Sequence, residues 1–371
     1  MKRFAILVVL LLIGVLAVSA APKFKVGMVF DLAGRGDNSF NDSAYNGLVA
    51  LAKAYKGWIQ DDPSKVNFGN QVQLKYLEPK AGGQDREILM RALAEDGYQL
   101  IYGVGFLFSD AMAKVAADFP DVHFGLIDGY IPDLNESSNI TCLGFKENEG
   151  SFLVGAIAAL KAKGKPIGFL GGMDIPLIHR FENGFDAGAM YVSKAYRASN
   201  MIMGQYIGKD PTAFNDPTNG YNISANFYKQ GAAIVFHASG GSGDGLFKAA
   251  QEAKKFSIGV DSDQGVIYAS AKEAATKARA QWILTSMIKR VDNGVFLSAK
   301  DFIDNDGKLD GGYRSFGLKE DGVGFAENQF NKANLSDVRA KILQLRKDII
   351  DGKITVPDEN TDMAAWAQGL M

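Results

Sequence analysis

The chain has 371 residues, 47% of them hydrophobic and 22% charged, which is long enough for two domains and apolar enough to bury a large core. A net charge of −2 offers nothing that would attract nucleic acid. The single cysteine, Cys142, excludes an internal disulfide framework, and inside the strand-like NITCLGF it reads as a small buried hydrophobe.

At the N-terminus, Lys2 and Arg3 precede an unbroken apolar run from Phe4 to Val18, closed by small residues at Val18 and Ala20. That pattern predicts a cleavable secretory signal over residues 1–20. The run is short for a spanning helix and lacks stop-transfer charges. Ala20 and Ala21 stand where a lipid-anchored exported protein carries a cysteine. The expectation is therefore a soluble, unanchored chain in the periplasm or outside the cell.

From Lys23 onward, apolar β-rich runs alternate with helical patterns. FKVGMVFD leads to SFNDSAYNGLVALAKAY, whose Leu48, Val49, Leu51 and Ala52 recur with helical spacing. VQLKYLEP leads to REILMRALAEDG, YQLIYGVG to SDAMAKVAADF, and VHFGLID returns through NITCLGF. A second series begins after Glu147: the helix SFLVGAIAALKAKG, the strand PIGFLGG, the helix FENGFDAGAMYVSKAY and the strand MIMGQYI. After a polar loop come the helical GYNISANFYKQ, the strand AAIVFHA, the helix DGLFKAAQEAKKF and the strand SIGVD. In the last third, WILTSMIKRVDNGVF reads as one helix, YRSFGL as a strand and VRAKILQLRKDIIDGK as an amphipathic helix, with ITVP ending the fold.

Strand–helix repetition of this kind predicts an α/β protein of two doubly wound, Rossmann-like parallel-sheet domains. The expected first lobe is residues 21–146 plus about 264–298, and the second 147–263 plus about 299–371.

Ligands of open parallel sheets bind outside the carboxyl ends of the strands. Those positions hold Asp31, Asp37, Ser39, Phe40 and Asn41; Gly105 and Phe106; Asp128; Phe181; Ala238 to Gly243, including Gly240; and Asp261, Asp263 and Gln264. No His/Cys cluster with metal spacing is among them, and GGSGDG is not a nucleophile elbow. HASGGSGDG lacks the spacing of a phosphate loop. DNDGKLDGG fails as a calcium loop, because aligning Gly307 with the required glycine puts Phe302 and Tyr313 at ligand positions; it reads instead as a polar hairpin turn.

Taken singly, Asp37 and Asp128 could each cap a helix, and Phe40 and Phe181 could each be core. Together, aspartates and phenylalanines at one cleft suit an uncharged, flat ligand carrying hydroxyls or N–H groups. Carboxylates accept a cis-diol or a ring N–H with an amine, two rings sandwich a heterocycle, and acidic walls repel phosphate. The chemistry points to a nucleoside.

SIGVDSDQG, ILTSMIKRVD and GDNSFND, with MDIPLIHRFENGFDAG, GLKEDGVGF and GKITVP, together resemble the basic membrane protein, or purine nucleoside receptor A-like, family of solute-binding proteins. The likeness covers nearly all of the chain after the signal. It implies the hinged fold of type I periplasmic binding proteins and delivery of the cargo to the membrane permease of an ABC importer; a monomer without cofactor is expected. It also implies a base held between Phe40 and Phe181 with Asn41 and Asp37 beside it, Asp128, Asp261 and Lys289 around the ribose and base, and a wall at Ala238 to Gly241. By itself Lys289 could be a solvated lysine at a helix C-terminus. Two rival readings are a sugar or signal-molecule receptor on the same fold, and a nucleoside hydrolase using Asp31, Asp37 and Asp42 around a metal.

Overall fold

The computed structural model describes residues 21–80, 82–198 and 200–370. The predicted signal, residues 1–20, lies outside the described residues.

The first series runs β1 (Phe24–Val29), α1 (Phe40–Ala54), β2 (Trp58–Ile59), β3 (Val72–Leu77), α2 (Arg86–Glu95), β4 (Leu100–Val104), α3 (Ser109–Asp118), β5 (His123–Ile127) and β6 (Ile140–Phe145). The second runs α4 (Glu147–Ala162), β7 (Ile167–Met173), α5 (Pro176–Val192), β8 (Ile202–Gly208), α6 (Pro217–Lys229), β9 (Ile234–Ala238), α7 (Gly243–Ala253), β10 (Phe256–Asp261), α8 (Gln264–Ala269), α9 (Ala274–Lys277) and β11 (Ile283–Lys289). Then follow α10 (Val291–Asp304), β12 (Gly312–Phe316), β13 (Val323–Phe325), α11 (Lys332–Leu335), α12 (Arg339–Ile350) and α13 (Met363–Gln368).

Two sheets result, in the orders β12-β6-β5-β4-β1-β3-β2 and β13-β11-β10-β9-β7-β8. Every pairing is parallel except β11 with β13. The central β4, β5 and β9 are buried along their whole length, so they read as continuous apolar runs with no alternation. The two-lobed, doubly wound α/β architecture is the one expected. In each sheet the strand order reverses beside the first strand, β1 or β7, which opens a crevice at the strand ends.

The lobe boundaries differ from expectation. Ile283–Lys289 is a strand, not the first half of a helix, and it pairs with β10. Residues 264–290 therefore stay in the second lobe. The chain then crosses back, α10 lies on α1, and β12 pairs with β6 in the first sheet; β13 returns it to the second. An apolar strand buried on both faces cannot be told from a buried helix by periodicity, which is why ILTSMIK merged with the helix after it. The Asp304–Gly312 segment joins α10 to the parallel strand β12, so it is a helix-to-strand connection and not a hairpin turn.

Three crossovers thus join the lobes, at Phe145–Glu147, Lys289–Val291 and Phe316–Val323. The largest apolar cluster passes through them by way of Phe145, Met287 and Phe316, and smaller clusters cover the outer face of each lobe. Beside the crossovers, α5 lies directly on α4: a Cβ at Gly184 would come within 2.3 Å of the Asn148 carbonyl oxygen, and one at Gly188 within 2.0 Å of that of Phe152. This contact fixes the first turns of α4 against the second half of α5.

Candidate ligand-binding cleft

A cavity with about 730 Å³ of space, its open mouth included, lies between the lobes at the strand ends. All eight residues expected from the sequence line it: Asp37, Phe40, Asn41 and Asp128 from the first lobe, and Phe181, Gly240, Asp261 and Lys289 from the second. Phe106, Leu177, Ile178 and Phe214 add apolar wall. Phe214 was missed; its signal was a lone aromatic in an otherwise polar loop. Gly240 adopts φ +54, and a Cβ there would come within 3.1 Å of the Phe214 carbonyl oxygen, so a side chain would be both strained and crowded.

Lys289 ends β11 and is only 2% exposed, so it is neither solvated nor at a helix C-terminus. Its ammonium hydrogen-bonds Asp128 Oδ2, lies 2.8 Å from Glu147 Oε1, and sits 5.3, 5.2 and 5.4 Å from the ring centres of Phe40, Phe145 and Phe181. Burial alone would make it a weaker base. The carboxylates of Asp128, Glu147 and Asp261 outweigh that and hold it firmly protonated. Phe40 from the first lobe and Phe181 from the second therefore border the same small space around one ammonium.

Asp128 and Asp261 follow β5 and close β10 with φ +60 and +61, a left-handed conformation that aspartate tolerates at a cost and that concentrates at functional sites. Burial pushes the Asp128 carboxyl above its usual range, against the pull of Lys289. Its Oδ1 is buried without a hydrogen-bond partner. Asp261 Oδ2 accepts from Ser39 Oγ across the cleft at 2.5 Å. Burial lifts this carboxyl to about 7, with Lys289 and the Ser39 bond opposing.

Two further bonds cross at the same place: Gln264 Nε2 donates to Asn38 O at 3.2 Å, and Ser262 Oγ to Ser39 O at 3.3 Å. The segment before α1 and the segment after β10 are therefore fastened together over the cavity.

Asp37 faces the cavity but acts on its own helix. Oδ1 accepts from the Ser39 and Asp42 amides, and Oδ2 from the amide and side chain of Asn41, which fills both oxygens. It ties down the first turn of α1, whose N-cap residue is Ser39, and its carboxylate is already occupied by those four bonds. Asn41 is likewise tied, its Oδ1 accepting from the Asp31 amide at 3.0 Å. A metal shared by Asp31, Asp37 and Asp42 has no support: Asp31 pairs with Arg86, and Asp42 accepts from Arg35, Gly36 and Asn38. Among the described residues no group of three or more metal-ligating side chains comes together. Glu147, on which Lys289 depends, was also missed, because nothing in the sequence connects it with β11.

No helix among the described residues is long and apolar enough to cross a membrane. A Pyrococcus abyssi protein called an uncharacterised lipoprotein is 32% identical over 82% of this chain and 69% of its own length. Kinship therefore lends no support to the expectation of an unanchored chain. A Lactococcus lactis protein named as an ABC transporter nucleoside-binding protein is 32% identical over 90% of this chain and 89% of its own. The crystal structure of an ABC transporter solute-binding protein from Aeropyrum pernix K1 superposes with a TM-score of 0.74 at 26% identity, covering 94% of this chain and 97% of that one. The family model described as ABC transporter substrate-binding protein PnrA-like matches residues 24–360, and the chain belongs to that family of transporter substrate-binding proteins.

Proposed function

We propose that this protein captures a purine nucleoside between its lobes and presents it, without breaking a bond, to the permease of an ABC importer. The observation that carries the reading is the pairing of Phe40 and Phe181 from opposite lobes with two buried aspartates, one of which holds an oxygen without a partner. An unpaired buried acceptor costs about 1–3 kcal/mol, which a hydroxyl or ring N–H removes, whereas a phosphate would add negative charge beside Asp128 and Asp261. Stacking of a base on an aromatic ring contributes about 1–3 kcal/mol. The nucleoside-binding name of the Lactococcus relative points the same way. None of the lining residues is a tryptophan or an arginine, which disfavours a sugar receptor.

Native mass spectrometry of the purified protein, followed by calorimetry with guanosine, adenosine, inosine, uridine and ribose, tests the reading. Tight binding of a purine nucleoside is expected, and Phe40→Ala should weaken it roughly tenfold or more. Binding of ribose with no nucleoside binding defeats the reading, and release of free base from inosine defeats its non-catalytic part.

A further inference from the structure

Glu147 does not line the cavity, yet it stands directly behind it. It is the first residue of α4, at the first crossover, and is fully buried. Its Oε1 lies 2.8 Å from the Lys289 ammonium and its Oε2 3.6 Å from Arg180 Nη1 on α5. Arg180 Nη2 donates to Glu359 Oε1 at 2.8 Å. Asp128, Lys289, Glu147, Arg180 and Glu359 thus form a row of alternating charges. It runs from the cavity, through two of the crossovers, to the C-terminal segment behind them. That segment is fastened in turn by Asn148 to the Val356 carbonyl at 3.0 Å and by Asn183 to the Asp358 carbonyl at 2.7 Å.

A buried ammonium seeks anionic acceptors on every side it can reach, because desolvation is costly unless the charge is paired. Asp128 offers Lys289 one oxygen and Glu147 holds its other side. Without the Glu147 charge, the anionic groups left to Lys289 are Asp128 and Asp261, and the ammonium is drawn further onto Asp128, to which it is already hydrogen-bonded.

We propose that Glu147 is a positioning residue for the ligand: it shares the Lys289 ammonium with Asp128 and so leaves more of the Asp128 charge to the cargo, while Arg180 and Glu359 hold Glu147 in place. The proposal rests on the nucleoside reading for what that carboxylate accepts, but its electrostatic part can be read without ligand.

The charged groups facing Asp128 are Lys289 from β11, Glu147 from α4, Arg180 from α5 and Asp261 from β10. The Glu147 charge raises the proton affinity of Asp128, and the Arg180 charge lowers it. Neutralising one or the other must move Asp128 in opposite directions, which a merely structural role would not do.

The test compares Glu147→Gln and Arg180→Gln in the full chain. Calorimetry gives the affinity for guanosine and inosine as a function of pH, and the carboxyl ¹³C resonance of Asp128, assigned by its loss in Asp128→Asn, gives its titration in ligand-free protein. Glu147→Gln is expected to weaken binding roughly tenfold at alkaline pH and to shift the Asp128 titration to lower pH; Arg180→Gln is expected to shift it to higher pH. Unchanged affinity in Glu147→Gln, or titrations that stay put or move together, would overturn the proposal. If the wild-type chain binds no nucleoside, the cargo reading falls, while opposite titration shifts still support the row of charges and unshifted ones overturn it. Should Glu147→Gln fail to fold, the half-buried Arg180 carries the test alone: an upward shift with weaker binding supports the proposal, and no shift overturns it.

Discussion

Asp128 and Asp261 occupy matching places in the two lobes. Each stands at the carboxyl end of the strand two places from the first strand of its sheet, β5 or β10, and each takes the same left-handed backbone. Their partners differ: Asp128 is held from the hinge side by the Lys289 ammonium, whereas Asp261 is held from the facing lobe by the Ser39 hydroxyl. One backbone position therefore serves two purposes, anchoring charge at the crossovers in one lobe and closing the cleft in the other. The lesson is that the strand end selects where an aspartate goes, and the neighbours decide what it does.

The sharpest way to break this contrast is to remove the charge that only one side possesses. Lys289→Met leaves Asp128 and Glu147 buried without their shared counter-ion, and unfolding in denaturant should show a loss of about 3–5 kcal/mol. A change of less than about 1 kcal/mol would mean that the carboxylates find other partners.

Asp261 should respond in the opposite sense. Because its folded carboxyl titrates near 7, above the ordinary value of 3.8, the folded state binds a proton that the unfolded chain releases between those two pH values. The penalty for keeping the carboxylate ionised is complete above the folded value and fades as pH falls through it. At alkaline pH Asp261→Asn should therefore stabilise the ligand-free protein, by on the order of a few kcal/mol, while weakening nucleoside binding. The gain should shrink as the pH approaches that of an ordinary carboxylic acid. A stability difference that does not vary with pH contradicts the assignment.

Ser39→Ala is the mildest of the three changes. It removes one hydrogen bond to a charged group across the cleft, so affinity should fall by about 1.5–3 kcal/mol at most, and the thermal midpoint of the ligand-free chain should move little. A large loss of stability would show that the Ser39 bond holds the first lobe together and not the two lobes to each other.

Much of this was legible in the sequence, for a physical reason. In a doubly wound sheet the residues after successive strands converge whatever the loops do, so Phe40, Asp128, Phe181, Gly240 and Asp261 could be gathered without knowing how the lobes pack. The role of Asp37 could not be read, because cap and ligand acceptor demand the same residue at the same spot, and only the amides of Ser39, Asn41 and Asp42 decide between them. The lobe boundary after Lys289 was hidden by a strand with both faces buried. Glu147 was hidden more deeply still, since its meaning depends on two crossovers meeting in space.

The fastening over the cavity is made largely of main-chain acceptors, the Asn38 and Ser39 carbonyls, met by Gln264 and Ser262. None of these contacts requires anything from the cargo. The latch is therefore indifferent to its content: it can certify to a membrane partner that the jaws are shut, but the choice of passenger belongs to the walls behind it.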